Sequence, residues 1–202
     1  MSWRLLQTLF GLDRTEQPSS FKQQEASATH LALLEQIRAL QKALQEEKLR
    51  RFGRRVSFGD LVTDRWENAR QYGFGEGSSC YDDVLILGDV QVGRHTWIGP
   101  NVILDGLGGG LVIGDHCSIS SGVQIYTHDT VRRSVTMGRA PIAYKPTRIG
   151  NGVYIGPNSI VAMGVEIGDA AVIGAMSFVN HSIPPRTKAW GCPATITGDV
   201  EI

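Results

Sequence analysis

Five histidines are the side chains of this 202-residue chain best suited to move a proton near neutral pH, and their settings differ. His30 lies in a run of helix formers, His95 and His116 fall at turn positions of a repeat, and His181 stands near that repeat's end. For these the ordinary reading is a solvated surface histidine. His128 is set apart, because in Gln124-Ile125-Tyr126-Thr127-His128-Asp129 a regular pattern stops and a long irregular segment begins. A histidine where a loop folds over the edge of a repeat is placed for a cleft. Its imidazole can take a proton from a hydroxyl or an amine as that group attacks an electrophile. The second ring nitrogen then needs a partner to hold the tautomer, and Asp129 and a backbone carbonyl are both candidates. No metal site is indicated: Cys80, Cys117 and Cys192 are odd in number, widely spaced and without CxxC or other ligand spacing. They suit a reducing compartment better than a disulfide framework.

The elements that must position His128 follow from a six-residue ladder. Aliphatic residues recur at Ile86, Val92, Ile98 and Leu104, slip by three at Leu107-Gly108-Gly109-Gly110, and resume at Ile113, Ile119 and Ile125. They resume again at Ile149 and continue through Ile155, Val161, Ile167, Ile173 and Val179. Four places after most of them comes a small or β-branched residue, such as Thr96, Val102, Cys117, Val123, Val153, Ser159, Val165, Ala171 or Ser177. A period of six matches neither the 3.6 of a helix nor the 2 of a strand. It is the mark of hexapeptide repeats wound into a parallel β-helix, three repeats to a triangular coil. The 24 glycines fit the tight corners such a coil demands. From Ile125 to Ile149 the phase survives with no rung between them, so residues 127–148 must leave the coil and return at the same depth. Long loops in compact domains are usually functional or disordered.

The N-terminal part reads differently. Residues 1–25 form an arm and a polar, turn-rich linker, and 26–81 a helical region with a connector to the β-helix at 82–202. Residues 26–52 lack Gly and Pro, and Leu33, Ile37, Leu40 and Leu44 make a short coiled-coil seam. This helix packs on its own domain or self-associates. The glycine-rich stretch after residue 72 reads as a turn leading into the main domain. Twenty basic residues balance twenty acidic ones, so no net field draws the chain to nucleic acid. No stretch approaches the roughly 20 apolar residues of a membrane span. A soluble cytoplasmic protein is expected.

The segment IYTHDT, the loop after it, PTRIGNGVYIGPNSIVAMGVEIGDAAVIGAMSFV and IPPRTKAWGCPA resemble the hexapeptide-repeat acetyltransferases, in the group of the sugar O-acetyltransferases and the related xenobiotic acetyltransferases. The resemblance covers roughly residues 86–196. It implies a left-handed β-helix, a homotrimer, and acetyl-CoA in the groove between neighbouring subunits, with His128 as the catalytic base. It places the pantetheine arm along Gly156 and Ala175 and the phosphates near Arg186 and Lys188. Asn101 and Asp105 match positions that hydrogen-bond a saccharide acceptor, although Asp105 could equally cap a turn. Asn180-His181 and Thr195 depart from the pattern of the group. The implied reaction is acetyl transfer to a saccharide hydroxyl in surface-polysaccharide (lipopolysaccharide or O-antigen) assembly, with N-acetylation of a nucleotide-linked amino sugar as the nearest variant. Two other classes share the fold. A gamma-class carbonic anhydrase needs closely spaced histidines, and His116 and His128 have the wrong separation. A non-catalytic scaffold explains neither the loop nor His128.

Overall fold

A computed structural model describes residues 28–201 of the chain. The arm expected over residues 1–25 lies outside the described residues. The chain divides into two compact units, Met1–Arg55 and Val56–Ile202. In the first, helix α1 runs from Ala28 to Phe52, with Arg50 and Arg51 in the last turn, where they complement the helix dipole. The i,i+4 pairs Lys42–Glu46 and Glu47–Arg51 lie on its exposed surface, each contributing a few tenths of a kcal/mol. Leu33, Ile37 and Leu40 of the seam are exposed, and Leu44 is half-buried. No described helix is long and apolar enough to cross a membrane.

The second unit opens with two short helices, α2 (Phe58–Val62) and α3 (Arg65–Gln71), capped by the Ser57 and Asp64 side chains. Buried Ala69 and Phe74 join them to the same core as the ladder. Residues 56–81, grouped from sequence with the helical region, thus belong to the compact unit of the β-helix. The stretch expected as a lead-in turn also adds a rung: β1 (Ser79–Cys80) pairs in parallel with β3 (Trp97–Ile98) and buries Cys80 below Ile98. Burial pushes the Cys80 thiol up to about 12, so it is a core residue and not a nucleophile.

The ladder then winds as a mainly parallel β-helix. The strands β2 (Leu85–Val92), β4 (Ile103–Ile113), β5 (Ser118–Ile119), β6 (Gln124–Ile125), β9 (Thr147–Ile149), β10 (Tyr154–Ile155), β11 (Ile160–Val161), β12 (Glu166–Ile167), β13 (Val172–Ile173) and β14 (Phe178–Val179) pair coil on coil. The register makes three inward columns. Cys80, Ile98, Ile119, Ile155, Ile173 and Ala189 form the first. Ile86, Leu104, Ile125, Val161 and Val179 form the second. Val92, Ile113, Ile149, Ile167 and Ile183 form the third. Every ladder aliphatic except the half-buried Ile86 is buried, as are nine corner residues from Thr96 to Ser177. The phase persists because the rung N–H groups bond carbonyls of the neighbouring coil: an insertion that shifted the register would orphan a row of buried donors. Ile149 stacks on Ile113, so the segment after Ile125 does return at the expected depth. The last strands, β15 (Thr187–Gly191) and β16 (Ala194–Asp199), close the structure as an antiparallel pair.

Candidate active site

The slip and the excursion meet at one place. Leu104 is the inward residue of the second column, and the position after it, small in most repeats, holds Asp105 with its side chain fully buried. A buried carboxylate requires donors, and the slip supplies them. Asp105 Oδ1 accepts the Leu107 N–H at 3.0 Å, and Oδ2 accepts the Thr127 N–H at 3.0 Å and the Thr127 hydroxyl at 3.5 Å. The His128 Nδ1–H donates to the same Oδ2 at 2.6 Å. Burial alone would push the carboxyl up, but the Thr127 and Leu107 N–H groups and the His128 ring together hold it below its ordinary value. Asp105 is therefore a carboxylate, which only accepts, so Nδ1 carries a proton and, in the neutral ring, Nε2 is the acceptor.

The surrounding backbone fixes this pair. Gly108 donates its N–H to Thr127 Oγ1 at 2.7 Å and packs so close to the Thr127 carbonyl that a Cβ at 108 would overlap it. The excursion leaves as β7 (His128–Asp129), passes through the short helix α4 (Val131–Val135) and returns as β8 (Ala143–Tyr144), antiparallel to β7. Its feet are tied by the Lys145 N–H to the Thr127 carbonyl at 2.8 Å and by the Thr147 hydroxyl to the Tyr126 carbonyl at 2.7 Å. Tyr144 lies across from His128 with ring centroids 6.2 Å apart. The His128 side chain stays 26% exposed, so the imidazole is anchored on one side and open on the other. Such a group can work as a general base towards a ligand on its open side.

Of the residues singled out from sequence, His128 and Asp105 are brought together, but with a different division of labour. The carboxylate expected to meet the acceptor is spent on the imidazole, and no atom of it reaches the surface. Asp129, offered as the orienting group, instead accepts the Val131 N–H at 3.0 Å and starts α4. Asn101 stands on an exposed corner in the left-handed region (φ 57°), outside the hydrogen-bonded group. Gly156 and Ala175 occupy the same corner of successive coils: a Cβ at 156 would lie 2.5 Å from the Ala175 nitrogen. Among the described residues the Ala175 N–H has no backbone partner, which leaves it available to a ligand carbonyl on that corner. Arg186 is exposed on a left-handed corner, and Lys188 is half-buried in β15. The cleft of about 570 Å³ lined by Arg148, Asn151, Glu166, Ser182 and Pro184 runs along the third column's corner and contains none of these residues. Among the described residues no three His, Cys, Asp or Glu side chains converge on a metal site. Thr127 and Gly108 were missed from sequence. The only signal for them was the slip itself, since their partners lie about one coil away along the chain.

Comparison with known proteins agrees with the fold. Residues 146–181 match the family described as bacterial transferase hexapeptide (six repeats). The galactoside O-acetyltransferase of Escherichia coli K12 is 32% identical over 118 residues, which is 55% of each chain. Nodulation protein L of Rhizobium meliloti is 39% identical over 111 residues, 54% of this chain and 60% of that protein. The chain thus spans a little over half the length of these curated relatives. A solved structure, the hexapeptide-repeat-containing acetyltransferase VCA0836 of Vibrio cholerae, is 30% identical with a TM-score of 0.60, covering 83% of this chain and 94% of that one. The same protein complexed with acetyl coenzyme A matches at 29% identity and TM-score 0.59, covering 88% of this chain and 92% of that one.

Proposed function

The chain belongs to the hexapeptide-repeat acetyltransferases, and on that premise we propose that it transfers an acetyl group from acetyl-CoA to a saccharide hydroxyl, with His128 as general base. The observation that supports this reading is the Asp105–His128 pair at 2.6 Å, with the Asp105 side chain fully buried and the His128 side chain 26% exposed. Acetyl-CoA supplies an activated thioester carbonyl. His128 Nε2 takes the proton of the acceptor hydroxyl as its oxygen attacks that carbonyl, then returns the proton to the departing thiol. In between, the imidazolium is stabilised by the buried Asp105 carboxylate, which also prevents the ring from turning. Attack is direct, so no serine or cysteine nucleophile is required, consistent with Cys80 and Cys117 being buried thiols with raised pKa values.

The Gly156–Ala175 corner is where the pantetheine arm would lie, and Arg186 and Lys188 would meet its phosphates. The active unit in this reading is a homotrimer in the cytoplasm, its sites at the subunit grooves, serving surface-polysaccharide assembly. The test is thiol release from acetyl-CoA against a panel of saccharides. Wild-type protein is expected to release thiol only with an acceptor, and His128→Ala to lose about 10²–10⁴ in rate. Equal turnover by the variant would make His128 structural and remove the reading.

A further inference from the structure

The excursion carries apolar side chains that the core does not use. Between the buried rungs Ile125 and Ile149 no apolar residue is buried. Val131 is instead 64% exposed, Val135 75% and Met137 84%. Val131 and Val135 stand four apart on α4 and so share one face of that helix. The turn that follows presents Met137 in the left-handed region, φ 50°, which is uncommon for a residue with a Cβ. Hydrogen bonds hold that turn in place. The Met137 N–H donates to the Ser134 carbonyl at 3.0 Å, the Gly138 N–H to the Arg133 carbonyl at 2.8 Å, and the Thr136 hydroxyl to the Arg132 carbonyl at 2.7 Å. The apolar tip is thus a built feature of the excursion.

Two arginines bracket this tip. The Arg139 Nε–H donates to the Thr136 carbonyl at 3.0 Å and the Arg133 Nη1–H to the Gly138 carbonyl at 3.4 Å, so the two guanidinium groups are bonded to the residues on either side of Met137. Both arginines, like Arg132, are exposed, and among the described residues none of the three forms an ion pair. Asp129, the single acid between residues 127 and 148, is engaged by the Val131 N–H. An apolar tip flanked by cations suits the surface of an anionic bilayer, where the apolar groups enter the acyl boundary and the guanidinium groups meet the headgroup phosphates. A protein partner suits it less. A stable interface buries about 800 Å² on each side, far more than three side chains around one turn offer, and the same patch on a second copy would repel it. We propose that Val131, Val135 and Met137, with Arg132, Arg133 and Arg139, dock the protein on an anionic lipid surface. Because α4 begins three residues after His128, docking sets the mouth of the candidate site close to that surface. The docking is independent of the reaction that His128 carries out.

The experiment is co-sedimentation of the full-length protein with vesicles of phosphatidylcholine and phosphatidylglycerol in equal parts, and with vesicles of phosphatidylcholine alone. Wild type is expected to partition to the mixed vesicles, less so at high salt, and at least about tenfold more weakly to phosphatidylcholine. The variant Val135→Ser, Met137→Ser tests the apolar contact and Arg133→Ser, Arg139→Ser the charge; each is expected to lower partition to the mixed vesicles at least about tenfold. All four side chains are exposed, so the fold survives their replacement, and unchanged melting curves check this. The proposal is overturned if wild type stays in solution with the mixed vesicles, or if both variants partition as well as wild type, which would place lipid binding elsewhere in the chain. It is overturned equally if Val135→Ser, Met137→Ser changes the mass by light scattering, because the tip would then be covered by another copy of the chain.

Discussion

Asp105 shows how one residue departs from a repeat to make a site. The position after an inward aliphatic is usually small because it turns a corner, and an aspartate there buries its carboxylate at a cost that four donors offset. Those donors keep the folded-state carboxyl below its ordinary value. The unfolded chain therefore binds the proton first as pH falls. The stabilisation is fully present above the ordinary carboxylate value of about 4 and is lost as pH drops through the lower folded value. Melting curves of wild type and Asp105→Asn should accordingly differ most near neutrality and converge on acidification below about pH 4. A difference that grows towards acid would show that the carboxyl is not held low. From the sequence Asp105 was expected to meet the acceptor or cap a turn, and its role towards His128 was hidden. Its partner lies 23 residues away, and only coil stacking across the slip brings the two together, so the neighbouring Asp129 competed for the role on spacing alone.

At the scale of elements, the six-residue rungs were legible because each is a local pattern whose meaning does not depend on distant residues. The three columns from Cys80 to Ala189 are that pattern stacked. The ends were less legible. Cys80 stands six before Ile86 but is not aliphatic, Ile183 and Ala189 fall out of phase four and ten residues after Val179, and the helices α2 and α3 carry too few turns to show a period. The excursion was recognised as an interruption, but its anchoring was not. Thr127 is the joint: it is fully buried, gives Asp105 its N–H, and accepts the Gly108 N–H. Thr127→Val keeps the shape and leaves the buried Gly108 donor unmade, which costs about 1–3 kcal/mol. Scanning calorimetry should show a melting temperature lower by several degrees, at about 2–4 °C per kcal/mol for a chain of this size. An unchanged melting temperature would mean that the slip and the excursion are not joined through this residue.

Among the described residues, two stretches of exposed apolar surface bear on assembly. On the β-helix, Tyr154 is 42% exposed, Trp190 48% and Met176 76%, around the corner that holds Ala175. On α1, Leu33 and Leu40 are each more than half exposed. Surface of this kind is what subunit contact removes from water. Because the Gly156–Ala175 corner belongs to the β-helix, the trimer of the proposed function should be made there and not by α1. Light scattering of residues 56–202 should therefore give the mass of three chains. A monomer would move the assembly role to the N-terminal seam of Leu33, Ile37, Leu40 and Leu44.

The central claim is that Asp105 acts on the reaction only through His128, and a double-mutant cycle on the acetyl-transfer rate tests it most directly. Residues that work as one unit lose their contributions once, not twice. The rate with Asp105→Asn should fall about 10²–10⁴, and the double variant Asp105→Asn, His128→Ala should be no slower than His128→Ala alone. If the two losses instead multiply, Asp105 and His128 act independently, and the pair is not the catalytic unit described here.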